Sequence, residues 1–285
     1  MTLEPNKAEK NDHLSGFKYA WYKKGEYHIN IKSYLTLGTG KANQTEIEED
    51  WIVTPGEYNH INIHSSTQRY IQADGQMQPF YEILEKINKA TEVVELSLNT
   101  DKSIHEVTNK NEILRRWEEI KKDLHFFELV KESYKAFIQI YDQEFNNIDR
   151  NISRNFLYQI MFYPLPVFSG GSLTDEIPAR TTLSTLFPGE ELEYSSSYKI
   201  LKNKEGGYKV RLDGKSKRNQ SRFESIYKDK YQRTLGNALE YKYTIEGEYT
   251  YNEDSVLSEV IFHVKEELNE KMIYVCRYQI KLNKK

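Results

Sequence analysis

The sequence predicts an α+β fold: antiparallel β-meanders from the N- and C-terminal parts, packed against a central helical segment. Two observations carry this. Both ends of the chain alternate apolar and polar residues, as strands do, whereas the middle repeats its apolar residues every three or four, as helices do. The clearest strand is C-terminal. Leu239, Tyr241, Tyr243, Ile245, Tyr249 and Tyr251 share one parity, and Glu240, Lys242, Thr244, Glu246, Glu248 and Thr250 share the other. The helical middle needs a sheet to lie on, and the meanders need a cover for their apolar face. A curved sheet or half-barrel is the form such a pairing would take.

Taken in order, residues 1–15 are polar, and the strand rhythm starts at Phe17, Tyr19, Trp21 and Tyr22. A strand over Tyr27–Ser33 follows, then a turn at Gly38-Thr39-Gly40-Lys41 and a strand marked by Ile47, Trp51 and Val53. His60-Ile-Asn-Ile-His-Ser65 repeats the pattern of His28-Ile-Asn-Ile-Lys-Ser33, which suggests two neighbouring strands. Pro79 suits the start of a short helix striped by Phe80, Ile83, Leu84 and Ile87. Strand rhythm returns at Val94, Leu96 and Leu98 and again at 104–107.

Asn109 and Glu112 have the spacing of a capping box. Behind them run Ile113, Trp117, Ile120, Leu124, Phe127, Val130, Tyr134, Phe137, Tyr141 and Phe145. As one helix this run would be roughly 50 Å long, so it either projects or breaks once near His125–Glu128. A second helix is expected over Ile152–Tyr163, capped by Asp149 or Asn151 and stopped by Pro164. Pro164, Pro166, Gly170, Gly171, Pro178 and Pro188 then mark a linker or crossing loop. The expected division is 1–163 (meander plus helices), 164–190 (linker or crossing loop) and 191–285 (C-terminal meander), with the last part able to join 16–163 in one domain.

Composition narrows the function classes. The net charge is -3, with no bulk attraction to nucleic acid expected. The basic run Lys215, Lys217, Arg218 and Arg222 lies between Asp213 and Glu224 and reads as a solvated tip. No apolar stretch is long enough to insert in a membrane as a helix. Met1–Asp12 lacks the apolar stretch of a signal peptide. Cytoplasmic location is therefore the expectation, with an exported or mature periplasmic form as the alternative. The single cysteine, Cys276, lies in an alternating row and reads as a small buried hydrophobe.

Chemical motifs are few. His60 and His64 would sit roughly 13 Å apart on one strand, too far for one zinc ion with ligands at about 2.0–2.1 Å. Gly40-Lys41 is no phosphate loop, because Leu35 and Ala42 stand where a glycine and a hydroxyl are required. Glu46, Glu48, Glu49 and Asp50 form one carboxylate cluster and Glu190, Glu191 and Glu193 another; both read as solvated surface. No metal, cofactor or catalytic constellation is expected.

Tyrosine dominates the aromatics, 22 against 12 Phe and 3 Trp, and its ring suits a half-buried contact face. The expected function is therefore non-enzymatic binding or assembly. Tyr241, Tyr243, Tyr249 and Tyr251, or a cleft between sheet and helices, would hold an apolar small molecule or another protein. The central helices offer a surface for pairing with a second copy. A hydrolase whose carboxylates or histidines converge only in three dimensions is the alternative. A curved sheet with helices over its concave face is similar in outline to the half-barrel carriers of lipids and lipoproteins. That likeness is of shape, and no motif assigns a family.

Overall fold

The computed structural model describes residues 23–38, 43–66, 68–72, 78–124, 131–164, 176–203, 206–216, 221–236 and 238–283. The expected strand start at Phe17–Tyr22, the turn residues 39–41, the helix break at 125–128, and Lys217 and Arg218 lie outside these residues.

The chain forms an open antiparallel sheet of twelve strands with helices on one face. Five strands run outward from the middle. These are β1 (Gly25–Leu37), β2 (Asn43–Pro55), β3 (His60–Ser65), β5 (Val93–Leu98) and β6 (Ile104–Val107). A short strand, β4 (Arg69–Gln72), pairs beside β2 below β3. Helix α1 (Gln78–Asn88) and a single tight turn at Lys89–Thr91 connect β4 to β5. Four helices then carry the chain from one sheet edge to the other: α2 (Lys110–Asp123), α3 (Lys131–Asn146), α4 (Ile148–Arg154) and α5 (Phe156–Met161).

The second meander starts at the far edge and returns inward. Its strands are β7 (Glu176–Leu183), β8 (Glu191–Lys202), β9 (Tyr208–Ser216), β10 (Lys242–Tyr251), β11 (Leu257–Asn269) and β12 (Met272–Leu282). Two helices, α6 (Ser221–Lys230) and α7 (Gln232–Leu235), join β9 to β10. The halves meet where β1 pairs with β12, from Tyr27 opposite Leu282 to Leu37 opposite Met272. One hydrogen-bonded sheet therefore contains strands from both ends of the chain.

Alternation decides which side chains face the helices. Tyr27 and Ile29 of β1, Trp51 and Val53 of β2, Val260 and Phe262 of β11 and Ile280 of β12 are all buried on the same face. The opposite face is charged, with Lys32 at 2.9 Å from Glu46 and Lys209 at 2.5 Å from Glu248. The two His-Ile-Asn-Ile segments lie in β1 and β3, which are not neighbours; each pairs with β2, one on either side.

The sheet curls. Strand β7 is four places from β11, about 19 Å away if the sheet were flat. Yet Ser184, just past the end of β7, hydrogen-bonds Glu266 of β11, and Thr182 shares a small cavity with Tyr278 of β12. Gly247 helps β10 follow this curve. A Cβ there would stand 2.8 Å from the Phe262 ring, which takes the space.

The helices differ from the sequence expectation in two details, and the long run takes its broken form. Asn109 precedes α2 without capping it; its side chain instead bridges to the sheet, donating to the Val93 carbonyl at 3.0 Å and accepting from the Glu95 amide at 3.0 Å. Helices α2 and α3 fold back on each other, since Trp117 stacks on Phe145 at 4.8 Å and donates to Asp142 at 2.8 Å. In one continuous helix residues 117 and 142 would be about 37 Å apart. Finally, the helix expected over 152–163 is two, broken at Asn155, whose extended backbone stops α4 and whose side chain caps α5 at the Leu157 amide. Strand β7 also occupies part of the segment read as a linker.

Candidate ligand cavity between sheet and helices

Helix α5 lies across the curled face because it must cross from the β6 edge to the β7 edge. Tyr158 meets Trp51 of β2 at 4.7 Å between ring centroids. Phe156 meets Phe262 of β11 and Tyr278 of β12, both at 5.6 Å. Tyr163, just past α5, hydrogen-bonds Ser196 of β8 at 2.8 Å.

Beside α5 the cover is incomplete, and a cavity of about 510 Å³ opens. Strand pairing explains its position. Trp51 pairs with Ser65 of β3 and Glu48 with Arg69 of β4, so four residues span what three span on β2. The register therefore shifts by one residue between β3 and β4, while the Ser66 amide still donates to the Asp50 carbonyl at 2.8 Å. Glu49 and Trp51 form the floor, with Ser65 beside them. Helix α5 adds the apolar wall of Leu157 and Tyr158, and α1 contributes Glu85 and Asn88. Lys89, Thr91 and Glu92 of the tight turn complete the rim. Apolar ring surface thus lies at one side and acidic, hydrogen-bonding groups at the other.

Glu49 is the residue that sequence reasoning missed. The cluster read as solvated divides by parity. Glu46, Glu48 and Asp50 point outward, where they pair with Lys32, Arg69 and His28 at 2.9, 3.4 and 2.9 Å. Glu49 shares the parity of Ile47, Trp51 and Val53 and is only 8% exposed. Burial pushes its pKa up to about 7; the Trp51 indole N–H pulls it down and Asp50 adds to the rise. The signal was present in the alternation, but a run of four acids within five residues masks it.

The tyrosine row lies inside the fold. Tyr243, Tyr249 and Tyr251 are buried and Tyr241 is partly buried, because the helices cover the face they occupy. Tyr249 donates to the Ile160 carbonyl at 3.0 Å, and Tyr241 to Glu266 at 2.8 Å. Tyr243 borders a smaller cavity of about 190 Å³ walled also by Phe156, Tyr274, Cys276 and Tyr278. Its hydroxyl has no partner among the described residues. Cys276 is buried, and burial raises its thiol pKa, which leaves the thiol protonated and unreactive.

Glu49, Glu85 and Glu92 line the cavity, but His28 and His64 do not. His28 bonds Asp50 at 2.9 Å on the outer face, and His64 bonds Glu92 at 3.0 Å in an exposed pair. Among the described residues no three His, Cys, Asp or Glu side chains are grouped to hold a metal ion. No described helix is long and apolar enough to cross a membrane.

No family model matches the chain, and no curated protein matches it by sequence. Among solved structures it is similar to part of lipovitellin, in a structure concerned with that protein's lipid–protein interactions, with a TM-score of 0.52 and 9% identity. The match covers 94% of this chain and 25% of that one, so the chain spans about a quarter of the length of its structural neighbour. At this identity the likeness is one of fold.

Proposed function

We propose that the protein is a non-enzymatic binding protein that holds an apolar or amphipathic small molecule between the curled sheet and its helical cover. The observation that carries this is the cavity of about 510 Å³ between β2 and α5, with an apolar wall of Trp51, Leu157 and Tyr158. Its volume falls within the range of small-molecule sites, about 300–1,000 Å³. The fold shared with a part of lipovitellin supports the same class. In this reading Tyr243 adds a second, smaller compartment, and Tyr241, Tyr249 and Tyr251 hold its wall in place. A partner protein, or a second copy, would meet the outer surface instead, where Ile140 of α3 is 55% exposed.

Native mass spectrometry of freshly purified protein tests the proposal. A co-purifying small molecule, lost on replacing Ser65 with Trp to fill the cavity, is the expected result. Protein of bare mass that also takes up no apolar compound on incubation would refute it.

A second reading, acid–base hydrolysis, draws on one specific observation. Glu49 is a buried carboxyl with a pKa near neutrality in a cleft, as catalytic acids are. Glu85 and Glu92 border the same cavity and would have to supply the second group. This reading requires turnover of a generic ester or glycoside substrate that Glu49→Gln abolishes. Silence of the wild-type protein across such a panel removes it.

A further inference from the structure

Two polar residues lie on the floor of the larger cavity, and the indole donor of one lacks a hydrogen-bond acceptor among the described residues. Trp51 is 2% exposed, and its indole Nε1–H is buried without an acceptor. Glu49 is 8% exposed and two residues away on the same face of β2. The indole lies near enough to influence the acid but not in hydrogen-bonding geometry. Folded proteins satisfy buried donors of this kind almost without exception, by protein, water or ligand. Both residues line a space of about 510 Å³, from which a ligand group would approach them.

We propose that Trp51 and Glu49 form a headgroup subsite for a neutral hydroxyl at the end of an apolar chain. This rests on the reading of the cavity as a binding site. A hydroxyl offers one donor and two acceptor lone pairs. It can accept from Trp51 Nε1–H and donate to a Glu49 carboxyl oxygen at once, while its chain lies on Leu157 and Tyr158. Other headgroups satisfy only half the pair. A protonated amine has no lone pair for the indole. A carboxylate has no proton for Glu49 and enters among Glu49, Glu85 and Glu92, with Lys89 at the rim as the cation of the lining. An ether accepts but does not donate.

The test is isothermal titration at pH 8 with decan-1-ol, decyl methyl ether, decylamine and decanoate. The alcohol is expected to bind about tenfold more tightly than the ether, the increment of one hydrogen bond to a charged group. Glu49→Leu, which keeps the floor apolar, should erase the alcohol–ether difference. Trp51→Phe should weaken both by a similar factor and preserve their ratio. Glu49→Gln, which retains a donor and an acceptor, should fall between. Equal affinities for all four compounds, or an alcohol–ether ratio that survives Glu49→Leu, would overturn the subsite and leave the binding protein standing; a retained water satisfying both groups would give the first result. Failure of every compound to bind the wild-type protein would instead overturn the binding reading, and the subsite with it.

Discussion

Glu49 shows how one residue's parity decides its chemistry. Its neighbours Glu48 and Asp50 are solvated and paired, whereas it sits between Ile29 of β1 and the register shift from β3 to β4. Its pKa is raised to about 7 in the fold and lies at about 4.5 in the unfolded chain. Between those values the unfolded state has lost the proton that the folded state keeps, so stability falls as pH rises from about 4.5 to 7 and is level above. The loss is on the order of 3 kcal/mol at most. Glu49→Gln should remove this slope, giving higher urea midpoints than wild type above pH 7 and a smaller difference at pH 5. A second buried acid behaves oppositely in purpose. Glu266 is 1% exposed and accepts hydrogen bonds from Ser184, Tyr241 and the amides of Thr185 and Leu186, at 2.8 and 3.3 Å for the two amides. Glu266→Ala would orphan four donors, and we expect a loss of about 3 kcal/mol or more in chemical denaturation. Neither role was legible as such. Glu49 was hidden in an acidic run, and Glu266 depends on a loop 80 residues distant that only the curl of the sheet brings near.

At the scale of elements, the strands were legible because alternation is local and the sheet obeys it. The row from Tyr241 to Tyr251 faces the way its spacing requires. What spacing could not supply was the cover: a half-buried tyrosine and a fully buried one read alike until α5 is placed above them. The central helices were legible as helices for the same local reason. Their ends were not, because caps such as Asn109 can be drawn into other bonds. Asn155 is the hinge that matters here, since it both ends α4 and starts α5 against the cavity. Removing its side chain frees the Leu157 amide, and Asn155→Ala should cost about 1 kcal/mol. Because α5 supplies the cavity wall, the same change should raise amide exchange at Leu157 and Tyr158 more than in β10.

For the whole molecule, the decisive contact is the pairing of β1 with β12. It joins two meanders that would otherwise be separate sheets, and the crossing helices follow from it, since the chain must pass from one edge to the other. Sequence rhythm gave both meanders but not their junction, because pairing between residues about 250 apart leaves no local trace. We propose that the two halves unfold as one unit. Trp51 and Trp117 report on the first half, and the tyrosines of β8 to β12 dominate the second. Tryptophan fluorescence and tyrosine near-ultraviolet signals should therefore lose structure at the same urea concentration, and two separated midpoints would contradict a shared core.

The cavity between β2, α1 and α5 is the centre of the functional account. A titration with Nile red, a neutral apolar dye, tests it most directly. The account predicts emission that brightens and saturates near one equivalent, accompanied by quenching of Trp51, with both effects lost in a folded Ser65→Trp variant. Brightening that is unchanged by Ser65→Trp, or absent from the wild-type protein, would contradict it.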